Sequence, residues 1–365
     1  MHHDRHGFSD RNPEDNSESL KIVLIDDSNV VRAVLERILS ASPKFTVVAS
    51  AASAQEAMAY LAKNEADIII LDIEMPTGNG LDAMPELLAI SDARILVLSS
   101  LAEPGGVAAV RALTLGACDT LAKPGRSSFG GQFATILHDK LVGLGRSVAR
   151  ELVPAGPVIM RDYDYSNNVV DCIAIGSSTG GIPAMQEFFA ALDAHIDVPI
   201  FLTQHLPASF LPFLVSQLGE VVSRKVFLAQ DGQRCEHGYI YIAPSSGHLQ
   251  ITGNGKDKKI QICPETNGRY MPSVDPMFSS VAKHYGKNAI AIVLSGMGRD
   301  GLLGTEEIAE RGGHVYAQDP ASSVVWGMPG VVSRSGLASA ILPPADIGQH
   351  ISDHYVTSKS LESAA

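Results

Sequence analysis

Two sets of residues in this 365-residue chain have types and spacings suited to chemistry. The first is acidic. Asp26 and Asp27 follow the apolar run 21–25, Asp72 follows 67–71, Ser99 follows 94–98, and Lys123-Pro124 follows 118–121. Open parallel sheets present their ligands beyond the carboxyl ends of the strands, so these side chains are expected in one crevice. Three carboxylates there repel one another unless a cation neutralises them, and hard oxygen donors of this kind suit Mg²⁺. A lysine and a hydroxyl beside them can bind the oxygens of a phosphoryl group carried by one carboxylate. Helix N-capping explains any one of these acids, but explains the full set poorly.

The second set is built around serine. The run 169–175 leads into Gly176-Ser177-Ser178-Thr179-Gly180-Gly181 and then into a helical pattern with Pro183 in its first turn. Strand, glycine turn and helix is the context of a G-x-S-x-G nucleophile elbow, which Gly176, Ser178 and Gly180 match. A glycine turn before a helix can also hold a phosphate, but neither G-x-G-x-x-G nor the Lys-Ser/Thr ending of a P-loop is present. A purely structural turn is the remaining reading. A nucleophilic serine needs a base, and the base needs an orienting group. The run 198–203 ends at Gln204-His205, and 289–294 ends at Ser295-Gly296-Met297-Gly298-Arg299-Asp300-Gly301, which brings His205 and Asp300 to the edge of the sheet that carries Ser178. His314 precedes its strand, and His237, His248 and His284 fall in turns or on a helix. Asp319, after the run 314–317, is a rival to Asp300. The order Ser…His…Asp differs from that of α/β-hydrolases.

The elements that position these residues form two α/β halves. Strand-like runs at 21–25, 45–49, 67–71, 94–98 and 118–121 alternate with amphipathic segments, as in a parallel sheet covered on both faces. This domain is expected over residues 20–138. A last helix near 129–144 runs into a Gly- and Pro-rich linker assigned to 139–167. The second domain, 168–352, has strand candidates at 169–175, 198–203, 225–228, 239–243, 289–294 and 314–317. The piece 238–263 reads as a β-hairpin. Residues 1–19 are expected to be a disordered tail, and 353–365 a second tail.

Bulk properties narrow the function classes. Hydrophobic residues make up 45% and charged residues 19%, a balance that supports packed cores rather than a disordered chain. The net charge is −12, and residues 168–365 carry 13 Lys and Arg against 18 Asp and Glu, so neither half offers the basic face that nucleic acid requires. The four cysteines are scattered without a CxxC pair, which fits a reducing compartment. No run approaches the ~20 apolar residues of a membrane span, and the cytoplasm is the expected location.

The set Asp26-Asp27, Asp72, Ser99 and Lys123-Pro124 resembles the receiver domain of two-component response regulators. That resemblance implies that Asp72 accepts a phosphoryl group and that Asp26 and Asp27 help hold Mg²⁺. It also implies that Glu74 supplies a backbone carbonyl, that Ser99 is the switch hydroxyl, and that Lys123 contacts the phosphate. Gly78-Asn79-Gly80 departs from the Asp-Gly pair common in receivers. Ile175–Gly181, Thr203-Gln204-His205 and Ser295–Gly301 resemble the CheB family of chemotaxis protein-glutamate methylesterases, as do Tyr241-Ile242-Ala243-Pro244, 269–275 and Gly327-Met328-Pro329. The likeness implies a flavodoxin-like (βα)5 receiver followed by a doubly wound, mainly parallel α/β methylesterase domain with a β-hairpin. Carried over residue by residue, Ser178 is the nucleophile, His205 the general base and Asp300 its orienting acid. The loop around Met297 and the amides of the serine turn, Thr179 among them, are oxyanion-hole candidates. Ser177 stands where the family usually has alanine. The implied substrates are γ-glutamyl methyl esters of chemoreceptors, with deamidation of receptor glutamines as a second reaction, a CheA-type histidine kinase as phosphodonor, and no metal for the ester chemistry. The receiver is expected to cover the serine edge until Asp72 is phosphorylated.

Overall fold

The computed structural model of the chain describes residues 19–75, 80–99, 103–123, 131–150, 169–255, 257–264 and 270–358. The first half runs β1 Leu20–Ile25, α1 Asn29–Ser40, β2 Phe45–Ala51, α2 Ala54–Leu61, β3 Ile68–Asp72, α3 Gly80–Ile90, β4 Arg94–Ser99, α4 Glu103–Thr114, β5 Asp119–Ala122 and α5 Gln132–Arg150. Its strands pair in parallel in the order β2-β1-β3-β4-β5. The middle strand β3, Ile-Ile-Ile-Leu-Asp, is buried on both faces, as a strand between two helical layers must be.

The second half runs β6 Val169–Val170, β7 Cys172–Ser177, α6 Gly181–Ala191, β8 Ile200–Gln204, α7 Leu211–Val221, β9 Lys225–Leu228, β10 Tyr239–Ile242, β11 His248–Thr252 and β12 Lys259–Cys263. It continues through α8 Val274–Tyr285, β13 Ala289–Val293, α9 Leu302–Glu310, β14 His314–Gln318, α10 Met328–Arg334, β15 Ala340–Leu342, α11 Pro344–His354 and β16 Val356–Thr357. Its main sheet has the order β15-β14-β13-β7-β8-β10-β9, with parallel pairing throughout. The order places β13, β7 and β8 side by side in the middle, which brings together the ends expected to carry Asp300, Ser178 and His205.

Three expectations change. The hairpin is narrower than 238–263: β10 joins the main sheet, and only β11 and β12 pair antiparallel, from His248↔Cys263 to Thr252↔Lys259. The last helix of the first half continues past Leu144 to Arg150, so the first part of the expected linker is helical. The reason lies in its apolar face: Leu137, Leu141 and Leu144 are buried at helical spacing and Arg94 Nη1 donates to the Leu144 carbonyl at 3.0 Å, which carries the helix through its glycines. The rest of that linker, the tail 1–18 and Asn79 lie outside the described residues. Nor is the C-terminus free from residue 353. Tyr355 is buried and Val356–Thr357 pairs with Val169–Val170, a strand too short to show in a hydrophobic pattern.

The two halves share apolar cores. Ala109, Val110 and Leu113 of α4 belong to the same cluster as Ile182, Met185, Phe210 and Leu211 of the second half. Leu137 and Leu141 of α5 share another with Val325 and the partly buried Met297. Burying such side chains stabilises by ~1.5–3 kcal/mol each, so this packing holds the first half against the second. Among the described residues no helix is long and apolar enough to cross a membrane.

Candidate functional site

In the first half, the strand order sets the ends of β1 and β3 side by side, and β4 and β5 beyond them. Carboxylate oxygens of Asp26, Asp27 and Asp72 lie within 4.8 Å of one another. Lys123 Nζ is 2.9 Å from Asp26 Oδ2 and 2.6 Å from Asp72 Oδ2. Asp26 Oδ1 accepts the Ser28 N–H at 2.9 Å, and Asp72 Oδ1 accepts the Glu74 N–H at 3.0 Å. Ser99 is fully buried at the end of β4, and the Lys123 N–H donates to its carbonyl at 2.7 Å. Burial raises the Asp26 carboxyl above its ordinary value, with the Asp72 charge adding to it and Lys123 opposing. Burial works against the Lys123 ammonium too, but its bonds to Asp72 and Asp26 outweigh that and hold it protonated. Three acids against one lysine leave two negative charges among hard oxygen donors, so the residues fit a divalent cation such as Mg²⁺. Gly80 is required where it stands, because a Cβ there would lie 2.4 Å from the Asp72 carbonyl oxygen.

The second site is assembled at the carboxyl ends of β13, β7 and β8. The chain leaves β7, turns at Ser178 and enters α6. Gly180 makes the turn with φ +76°, and a Cβ there would meet Val324 at 2.5 Å and the Ser295 hydroxyl at 2.7 Å. The turn is tied on three sides. The Ser178 N–H donates to the Ser295 carbonyl at 3.0 Å, Gln204 Nε2 donates to the Ser178 carbonyl at 2.9 Å, and Ser295 Oγ donates to the Thr179 carbonyl at 2.7 Å. Ser177 points the other way: it is fully buried and donates to Gln204 Oε1 at 2.6 Å. Ser178 is the serine left partly open to the crevice.

His205 Nε2 lies 2.8 Å from Asp300 Oδ2, with the imidazole 13% exposed and the carboxylate 2%. Asp300 also accepts the Val274 N–H at 2.8 Å, the Ser273 hydroxyl at 2.7 Å and the Gly301 N–H at 3.1 Å. Burial pushes Asp300 up, but the bond and charge of His205 with these donors hold it below the usual carboxylate range. With Nε2 committed to Asp300, Nδ1 is the nitrogen free to serve as a base. Among the described residues no hydrogen bond joins Ser178 Oγ to His205, as is common before substrate arrives. The loop carrying Met297 faces the serine: a Cβ on Gly296 would lie 3.0 Å from Ser178 Cβ. Among the described residues the amides of Thr179 and Met297 donate no hydrogen bond.

Asp319, the rival acid, is spent elsewhere, accepting from the Ser322 hydroxyl and from the Ala321 and Ser322 amides. His314 bonds Tyr355 on the far side of the sheet, and His237 Nδ1 bonds the Asp197 carbonyl. Two contacts at this site have no counterpart in the sequence pattern. Tyr270 stacks on His205 with ring centroids 4.6 Å apart and planes 3° apart. Asp119, at the start of β5, accepts from Lys140 Nζ at 2.6 Å and from the Thr179 hydroxyl, while the Gly180 N–H donates to the Cys118 carbonyl at 2.8 Å. The first half thus grips the serine turn directly. The signal in the sequence is an acidic residue opening a strand whose first three residues are buried, Asp-Thr-Leu-Ala.

A receiver-domain model of response regulators matches residues 22–128, and a CheB methylesterase model matches residues 173–351. A protein-glutamate methylesterase/protein-glutamine glutaminase of Paramagnetospirillum magneticum is 38% identical over 93% of this chain and 97% of its own length. One from Caulobacter vibrioides is 38% identical over 91% and 98%. The CheB methylesterase catalytic domain of Thermotoga maritima, a solved structure, is 31% identical, covers 50% of this chain and 98% of its own, and superposes with a TM-score of 0.49. With relatives this similar over almost its full length, the chain belongs to the CheB family of protein-glutamate methylesterases and carries a response-regulator receiver ahead of its catalytic domain.

Proposed function

We propose that the protein is a phosphorylation-activated serine hydrolase that removes methyl groups from γ-glutamyl methyl esters of chemoreceptors, with Ser178, His205 and Asp300 as its triad. The observation that carries this reading is the 2.8 Å bond between His205 and Asp300 one strand away from the Ser178 turn. Ser178 Oγ attacks the ester carbonyl as His205 Nδ1 takes its proton, and the developing imidazolium is stabilised by the ionised Asp300. The Thr179 and Met297 amides are the groups assigned to the oxyanion. The proton then passes to the departing methoxide, so methanol leaves and an acyl-serine remains. Water, deprotonated by His205, releases glutamate and restores the serine. A receptor glutamine follows the same path with ammonia as the leaving group.

Asp72 is the phosphoryl acceptor in this reading, and Asp26, Asp27, Asp72 and the Glu74 carbonyl are the groups that would hold Mg²⁺. The metal, when bound, neutralises the acids during phosphoryl transfer from a CheA-type histidine kinase; Lys123 and Ser99 bind the phosphoryl oxygens. β5 links the two sites mechanically. Lys123 follows its last residue, and Asp119, which holds Thr179, is its first. A shift of Lys123 and Ser99 toward a phosphoryl group draws on the strand that grips the serine turn, and favours an open arrangement. The reading places the enzyme in the cytoplasm, with the cytoplasmic helices of the receptors.

Methanol release from methylated chemoreceptor membranes, with and without a small-molecule phosphodonor, tests it. Wild type should be stimulated by the donor, Asp72→Asn should not respond, and Ser178→Ala should release none. Equal release by wild type and Ser178→Ala would remove the serine from the mechanism.

A further inference from the structure

Ser273 occupies the N-cap position of α8, where a serine normally accepts from the first helix amides, yet its hydroxyl makes no such bond. It donates instead to Asp300 Oδ1 at 2.7 Å. The first amides of α8 follow it: Val274 N–H donates to Asp300 Oδ2 at 2.8 Å and Asp275 N–H to Oδ1 at 3.2 Å. Asp300 therefore caps a helix with the same carboxylate that holds His205. Three residues before Ser273, Tyr270 lies flat over the His205 imidazole. Behind Ser273, its own N–H donates to His248 Nδ1 at 2.9 Å, which fixes this short segment on β11.

We propose that the segment Tyr270–Asp275 is the positioning element of the His205–Asp300 pair, Ser273 and Tyr270 setting its geometry and Asp275 its charge. The inference rests on the hydrolase reading above. The titratable groups facing Asp300 are His205 from the end of β8 and Asp275 from α8. His248 of β11 stands behind Ser273, Tyr270 covers the imidazole, and α9 presents the amides of Gly301 and Gly304. Asp275 accepts the Gly304 N–H at 2.9 Å, and burial, aided by the Asp300 charge, raises its carboxyl to about 6. Below that pH Asp275 is neutral. Above it a second negative charge stands beside Asp300 and favours the imidazolium that forms as Ser178 attacks. Ser273 works in the opposite sense. Its hydroxyl spreads the Asp300 charge and fixes the carboxylate plane, so that Nε2 of His205 is held and Nδ1 stays aimed at the serine.

The test uses full-length enzyme, phosphodonor-activated, with methanol release followed across pH. Ser273→Ala is expected to lose roughly tenfold in kcat with KM little changed, since small misplacements of a catalytic group are costly, and to move the acid limb of the profile to higher pH. Ser273→Thr should restore most of the rate. Asp275→Asn should move the acid limb to lower pH and reduce the rate above pH 6. A helix cap with no part in catalysis predicts a lower melting temperature and an undisplaced limb in both variants, and that result overturns the proposal. So does wild-type kcat in Ser273→Ala. If wild type itself releases no methanol, the hydrolase reading fails and this one falls with it; an active wild type with indifferent variants defeats this one alone.

Discussion

At the scale of single residues, adjacent side chains of one chemistry divide sharply by direction. Ser177 and Ser178 follow each other, but the strand sends successive side chains to opposite faces. Ser177 is buried on Gln204, and Ser178 stands in the crevice. Ser177→Ala is expected to keep methanol release within a few-fold of wild type. It should lower stability by about 1–3 kcal/mol, the usual penalty for leaving a buried acceptor such as Gln204 Oε1 unpaired. Urea denaturation beside the activity assay checks both. The receiver acids make a second residue-scale prediction. The folded-state Asp26 carboxyl is raised above its ordinary 3.8, so the folded protein holds more proton than the unfolded chain. That contribution to stability is present at low pH and is lost as pH rises past the raised value. At neutral pH without metal, Asp26→Asn should therefore melt above wild type. Mg²⁺ at a hundred times its Kd should stabilise wild type by about 2.7 kcal/mol and leave the variant nearly unmoved.

Single elements decide where the fold ends. β16 is two residues long, yet Tyr355 before it is 3% exposed, bonds His314 Nδ1 and lies 2.9 Å from the Tyr316 hydroxyl. Tyr355→Ala is expected to lose about 3–5 kcal/mol, as for other large aromatic truncations in a core. Tyr355→Phe should lose only about 1 kcal/mol, the worth of the hydrogen bonding. Equilibrium unfolding of the two variants separates packing from polarity, and equal effects would mean that the hydrogen bonds dominate this end of the domain. α5 shows the same logic. Its leucines are buried up to Leu144, and the helix runs on to Arg150 past the glycines that suggest a stop.

For the whole molecule, the decisive feature is that the receiver lies on the serine edge through α4, β5 and α5. Gly106 of α4 lies against the second domain: a Cβ there would lie 2.6 Å from the Phe213 ring and 3.2 Å from the Ser209 carbonyl. Gly106→Leu cannot be accommodated with the halves in contact, while a helix interior prefers leucine to glycine by ~0.5–1 kcal/mol. The receiver should fold normally and be wedged away. Methanol release without phosphodonor is expected to rise several-fold, and the response to phosphodonor to shrink. Unchanged basal release would mean that α4 does not limit the active site.

Much of this was legible in the chain itself. Asp26, Asp72, Ser99 and Lys123 each end or follow an apolar run, and so do Ser178, His205 and Asp300. The rule that parallel strands carry ligands at their carboxyl ends converts those positions into two crevices. The choice of Asp300 over Asp319 needed the family resemblance, because both end strands at the same edge. Three dimensions separate them, since Asp319 is occupied by its own turn. Tyr270, Ser273 and Asp119 act only through contacts with residues far along the chain, and no local pattern records those. Nor could periodicity reveal that α4 and α5 bury their outer faces against a second domain, because an apolar stripe states that something covers it and not what. Residue types and spacing determined the chemistry available to this protein; packing between distant segments decided which nitrogen of His205 is free, what holds Asp300, and that the receiver packs against the serine turn.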